Sequence, residues 1–112
     1  MGKVYGLHEV ELKPKVTASE FEQFVLERFL PSLNELGVPG VAFQLLRADR
    51  GERNGKYLFM ITFDSITTRD RYFPDHNRPT KELIDIIKPM QDLSEKWEQL
   101  SVRHKTDYVE LF

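Results

Sequence analysis

Lys56-Tyr57-Leu58-Phe59-Met60-Ile61-Thr62-Phe63-Asp64 reads as a strand, and as one that is apolar on both sides. Successive side chains of a strand point to opposite faces. Tyr57, Phe59, Ile61 and Phe63 fall on one face. Leu58 and Met60 fall on the other, with Thr62 and Asp64 ending that row. The run upstream behaves the same way, with Val41, Phe43 and Leu45 on one side and Ala42, Gln44 and Leu46 on the other. An antiparallel sheet with one wet face should alternate apolar with polar residues. Both faces here call for cover. Helices can cover one, and a ligand, a nucleic acid or a second copy of the chain must cover the other.

Working outward, Gly51-Glu52-Arg53-Asn54-Gly55 separates strand-like residues 41–50 from 56–64. Asn-Gly tolerates the positive φ values of a type I′ turn, which predicts the reversal at Asn54-Gly55. Near the start, Val4, Gly6, His8, Val10 and Leu12 alternate with Tyr5, Leu7, Glu9 and Glu11, so residues 3–13 read as a strand stopped by Pro14. Thr17-Ala18-Ser19-Glu20 has capping-box spacing. The following stripe, Phe21, Phe24, Val25, Phe29, Leu30, Leu33 and Leu36, predicts a helix. Pro31 predicts a kink or a tightened last segment, and Gly37 the stop. Downstream, Asp64 or Ser65 caps a short helix through Phe73, and Pro74-Asp75-His76-Asn77-Arg78-Pro79 is a loop. Thr80 caps a helical segment to about Ser101, with Pro89 dividing or kinking it. A last strand covers roughly residues 105–112. The order, βαββαβ, is a ferredoxin-like α+β plan, a four-stranded antiparallel sheet with its helices on one face. Residues 1–112 are expected to form a single domain.

Charge narrows the partners. Lys plus Arg (16) nearly balances Asp plus Glu (18), for a net charge of -2. A nucleic-acid or anionic-membrane binder should carry a basic excess. The Lys56–Phe63 run matches an RNA-binding third-strand motif only at its first, approximately its sixth, and its last positions. It puts Tyr57 and Phe59 where small residues should let bases approach. Arg47, Arg50, Arg53 and Lys56 are interleaved with Asp49 and Glu52 and read as a solvated hairpin end. The expectation is no nucleic acid and no membrane. With no cysteine, disulfides and thiolate chemistry are excluded, which fits a cytoplasmic setting.

His8-Glu9-Val10-Glu11-Leu12-Lys13-Pro14, followed by a capped, Phe-rich helix, resembles the opening of the dimeric α+β barrel superfamily. The likeness is to its stress-responsive and antibiotic-biosynthesis-monooxygenase-like members, which often start with a His-containing strand ending in Leu-Lys-Pro. The resemblance implies a homodimer in which two sheets pack face to face as a barrel, covering the second face. Members include cofactor-independent monooxygenases, haem-degrading enzymes, lactone isomerases and proteins without known activity.

Three histidines compete for a role. His8 shares a strand face with Val10 and Leu12, where an imidazole can act as a base or bind a ligand, or can be a half-buried histidine satisfied by a neighbouring group. His76 lies in the most loop-like stretch, where it could contact substrate or, as in a haem-degrading relative, ligate haem iron; its neighbours are also ordinary turn residues. His104 is expected exposed at a helix–strand junction. Their separation gives no metal spacing, so no metal and no cofactor are expected. Trp97 belongs to a core stripe. No Ser/His/Asp order, phosphate loop or nucleophile elbow is present.

These readings converge on an apolar pocket between sheet and helices that binds a small hydrophobic or aromatic molecule. Any enzyme is expected to be a cofactor-independent monooxygenase or isomerase, as the resemblance implies. His8 would be the base or orienting group, with His76, Tyr57 and Phe59 holding substrate. The alternative is a non-catalytic stress-responsive or scaffold dimer whose interior is fully packed. A cavity containing His8 would favour the first.

Overall fold

The structure, a computed structural model, describes residues 2–75 and 78–112. Strand β1 (Val4–Leu12) leads to helix α1 (Ala18–Phe24), a π-helical segment (Val25–Phe29) and helix α2 (Leu30–Leu36). Strands β2 (Val41–Arg47) and β3 (Tyr57–Phe63) follow, then helix α3 (Ile66–Tyr72). Helix α4 (Lys81–Ile87), a 3₁₀ turn (Lys88–Met90) and helix α5 (Gln91–Leu100) lead into strand β4 (Ser101–Val109). All neighbouring strands are antiparallel, in the order β2-β3-β1-β4. The chain is therefore of the α+β class, and compatible with a ferredoxin-like fold.

The helix starts follow from side-chain caps. The Glu20 N–H donates to Thr17 Oγ1 at 3.1 Å, the Thr68 N–H to Ser65 Oγ at 3.0 Å and the Leu83 N–H to Thr80 Oγ1 at 3.4 Å. Gly37 ends α2 in the left-handed region at φ 59°. Thr17→Ala should lower stability by about 0.5–2 kcal/mol. A urea midpoint that does not move would rule the cap out as a contributor.

Four expectations are corrected. Pro31 does not tighten the first long helix, which stays α-helical from Leu30 to Leu36. The chain widens just before it, where the Leu30 N–H reaches back five residues to the Val25 carbonyl. A proline has no N–H to give and its ring crowds the carbonyl four residues back, and a wider turn relieves both. The hairpin does not reverse in a two-residue turn. Its loop is closed by the Ala48 N–H on the Lys56 carbonyl (2.8 Å), and two overlapping turns, Gly51–Asn54 and Arg53–Lys56, carry the reversal. Gly51 and Gly55 have positive φ but Asn54 does not, whereas a type I′ turn needs both central residues positive. The last strand begins at Ser101 rather than near 105, because β4 pairs with β1 along its whole length, from Leu12↔Ser101 to Val4↔Val109. His104 thus sits within β4, exposed and 3.6 Å from Glu11, not at a junction. At Pro89 the long segment divides into two helices joined by the 3₁₀ turn.

The register assigns the two faces. Tyr57, Phe59 and Phe63 are buried on the helix side with Val4 and Val10. The opposite face carries Leu46, Leu58, Leu7 and Met60 in adjacent cross-strand pairs. Leu46 is 42% exposed there and Tyr108 55%. On the helix side the interior has two buried clusters. One gathers Val10, Phe21, Phe29, Phe59 and Trp97, and the other Val4, Val38, Phe63, Tyr72 and Leu83. Ile61 and Leu36 touch both.

Candidate functional site

A cavity of about 660 Å³ lies between these two clusters. Phe29, Phe59, Leu33 and Met90 wall it from the first, and Val38, Phe63, Tyr72 and Leu83 from the second. Its floor is the sheet. Gly6 of β1 helps keep that floor open, since a Cβ there would stand 3.4 Å from Asp107 Oδ1 and 3.7 Å from Ile61. Pro74 and Pro79 line another part of the wall. The π-helical segment has a local role, because it ends on Phe29 and so sets where that ring meets the cavity.

His8 lines this cavity and is 8% exposed. Its ring stands edge-on to Phe59, with centroids 5.8 Å apart. Nδ1 lies 3.3 Å from a terminal nitrogen of Arg103. A guanidinium only donates, so Nδ1 accepts and the neutral ring carries its proton on Nε2. The geometry places the His8 ring at the cavity wall, in contact with Phe59 and Arg103.

The charged rim of the cavity comes from α3 and β4. Arg69 donates to Asp70 at 2.8 Å and to Asp107 at 2.7 Å, and is neutralised by them. Arg103 lies over the Trp97 ring at 5.2 Å. Burial pushes its guanidinium below the usual arginine range, with Glu98 opposing the shift. Lys105 is pushed down by burial and then by the positive charge of Arg103, with Glu98 again opposing.

Of the sequence-derived candidates, His8 and Phe59 meet in the cavity. Tyr57 does not line it. The Tyr57 ring packs on Phe21 at 4.9 Å and its hydroxyl donates to Glu22, which also accepts from Arg47 at 3.1 Å. Burial and then the Glu22 bond push the Tyr57 phenol up to about 12, and the same bond holds Glu22 below the usual carboxylate range. His76 lies outside the described residues. Arg103, Lys105 and Arg69 were not singled out from sequence. The available signal was alternation in β4: with the strand started at Ser101, Arg103, Lys105 and Asp107 fall on its inward face.

Among the described residues, no group of three or more His, Asp or Glu side chains is placed to hold a metal ion, and no helix is long and apolar enough to cross a membrane. Compared with protein-family models and with curated proteins, the chain matches none.

Proposed function

We propose that this chain is a homodimer of ferredoxin-like protomers, of α+β barrel plan, whose cavity binds a small hydrophobic or aromatic molecule. The cavity of about 660 Å³ carries this reading. Protein interiors leave few voids larger than a water molecule, and small-molecule sites occupy about 300–1,000 Å³ with mostly apolar walls. A chamber faced with Phe29, Phe43, Phe59 and Phe63 suits a flat apolar body. His8 supplies a polar group that fixes its orientation. The ferredoxin-like reading is supported by the βαββαβ order together with the strand order β2-β3-β1-β4. If ligands are turned over, oxygenation or isomerisation without a cofactor is the chemistry that the resemblance implies.

A panel of small aromatic and aliphatic compounds, read by thermal unfolding, tests the ligand. Binding to the native state raises Tm by mass action. Several aromatic members should raise it, and His8→Ala should weaken the effect without changing the far-UV spectrum. A flat response across the panel would favour the non-catalytic stress-responsive or scaffold dimer.

The dimer is supported by the open face of the sheet. Leu7, Leu46, Leu58 and Met60 form an apolar centre there, extended by Tyr5 and Tyr108. Glu9 and Glu11 share that face with His104, and Arg53 reaches Glu9 at 3.9 Å. A two-fold axis can set the acidic part of such a face against the basic part of its copy. Sedimentation at micromolar concentration should return a dimer for the unmodified protein. Met60→Asp should return a monomer or an aggregate, since it places a charge at the apolar centre. A stable monomer of the unmodified protein would overturn the dimer.

A further inference from the structure

We propose that the cavity selects an apolar molecule ending in a single carboxylate, with its body among the phenylalanines and its head against Arg103 and Lys105. The proposal rests on the cavity being a ligand site and adds the chemistry of the ligand.

Among the described residues, Arg69, Arg103 and Lys105 bring cations to the cavity lining, and they differ in how they are satisfied. Arg69 has two carboxylate partners, Asp70 and Asp107. Arg103 and Lys105 have none within ion-pair distance among the described residues. Glu98 acts on both only at longer range. These two residues stand two apart on β4 and so share its inward face. A cation withdrawn from water without a counter-charge is costly, and an anion brought into the same space offsets that cost. Arg103 is half-buried and burial disfavours its charge, while Lys105 stands exposed at the rim and adds a second positive charge beside it. Arg103 is also held in place, stacked on Trp97 and donating to His8, so little order remains to be lost when a carboxylate arrives.

The rest of the lining defines the ligand further. The apolar walls exclude a ligand that is charged throughout. Asp70 and Asp107 outweigh Arg69, so that side of the rim is net negative and repels a second anionic group. One negative head, placed on the Arg103 and Lys105 side, is what the charges accommodate. A guanidinium offers paired donors that match a planar carboxylate.

The experiment uses the full chain and three probes sharing one body: naphthalene-2-carboxylate, its carboxamide and 2-naphthylmethylammonium. Titration calorimetry at low salt should show the carboxylate binding about tenfold or more tighter than the amide, with the ammonium weakest. Arg103→Met and Lys105→Met should each shrink the ratio of carboxylate to amide affinity. Far-UV spectra check that both variants fold, and Lys105 at the cavity rim remains informative if Arg103→Met does not. Equal affinity for carboxylate and amide, or preference for the ammonium, would overturn the carboxylate assignment. The ligand site itself would stand in that case. If none of the three binds while neutral members of the aromatic panel do, the head-group assignment again fails alone. If nothing in either set binds, both readings fall.

Discussion

Trp97→Ala should lower the unfolding free energy by about 3–5 kcal/mol, a large share of the stability of a domain this size. Trp97 is 1% exposed and meets Phe21, Phe29 and Phe59 with ring centroids 5.3, 4.7 and 5.2 Å away. Truncation would remove the ring on which these three converge and the surface beneath Arg103. Unfolding should be followed by far-UV circular dichroism, because Trp97 is the only tryptophan and its fluorescence vanishes with the substitution. A paired variant separates ring packing from polarity. The Trp97 Nε1 is buried without a hydrogen-bond partner among the described residues, a cost already present in the native protein. Trp97→Phe removes that N–H while keeping an aromatic ring, so it should cost less than half as much as alanine. Equal losses for the two variants would contradict this account.

Gly40→Ala should cost about 2–5 kcal/mol, from two separate sources. The residue sits at φ 75°, where a side chain adds about 1–2 kcal/mol of strain. Its new Cβ would also stand 2.9 Å from both Asp64 Oδ2 and Thr68 Cγ2. Neither neighbour can retreat freely. The Asp64 N–H is tied to the Gly40 carbonyl at 2.9 Å, and the Asp64 carboxylate accepts from the Thr68 hydroxyl. Crowding of this kind typically adds about 1–3 kcal/mol. Gly37→Ala is the control, since φ there is 59° but nothing lies within 4 Å of a built Cβ. It should show the strain alone. Gly40→Ala no worse than Gly37→Ala by denaturant midpoint would mean that the α3 start moves aside.

Much of the fold was legible because its signals are local. Thr17, Ser65 and Thr80 announce helix starts by their own chemistry, and Gly37 announces a stop. The division of β3 into a Tyr57–Phe63 row and a Leu58–Met60 row follows from alternation alone, as does His8 sharing a face with Val10. The start of β4 was not legible. Val102 to Asp107 is mostly polar, and its extended form comes from pairing with β1 rather than from its own side chains. That loss hid Arg103 and Lys105, and with them the charged rim of the cavity. The hairpin loop is not legible from Asn54-Gly55 alone, because Gly51 also takes a positive φ and two overlapping turns share the reversal. Tyr57 and Phe59 look equivalent in sequence, yet only Phe59 reaches the cavity, since the Glu22 partner of Tyr57 lies on α1 and its pairing is a tertiary fact.

The widened turn before Pro31 has a consequence for how this chain tolerates changes in length. Phe21, Val25, Phe29 and Leu33 are spaced by three successive steps of four residues. In a regular α-helix each such step overshoots a full turn by about 40°, so Leu33 would end about 120° away from Phe21. The π-helical segment at Val25–Phe29 turns less per residue and takes up part of that drift, so that all four reach the same buried cluster. Deleting one residue there would change the spacing to steps of four, three and four, which a regular α-helix at about 100° per residue keeps within about 60° on one face. The widened turn would then close into an ordinary α-helix with Phe29 and Leu33 still facing the buried cluster, so this stretch should tolerate the loss of one residue better than a regular helical segment would.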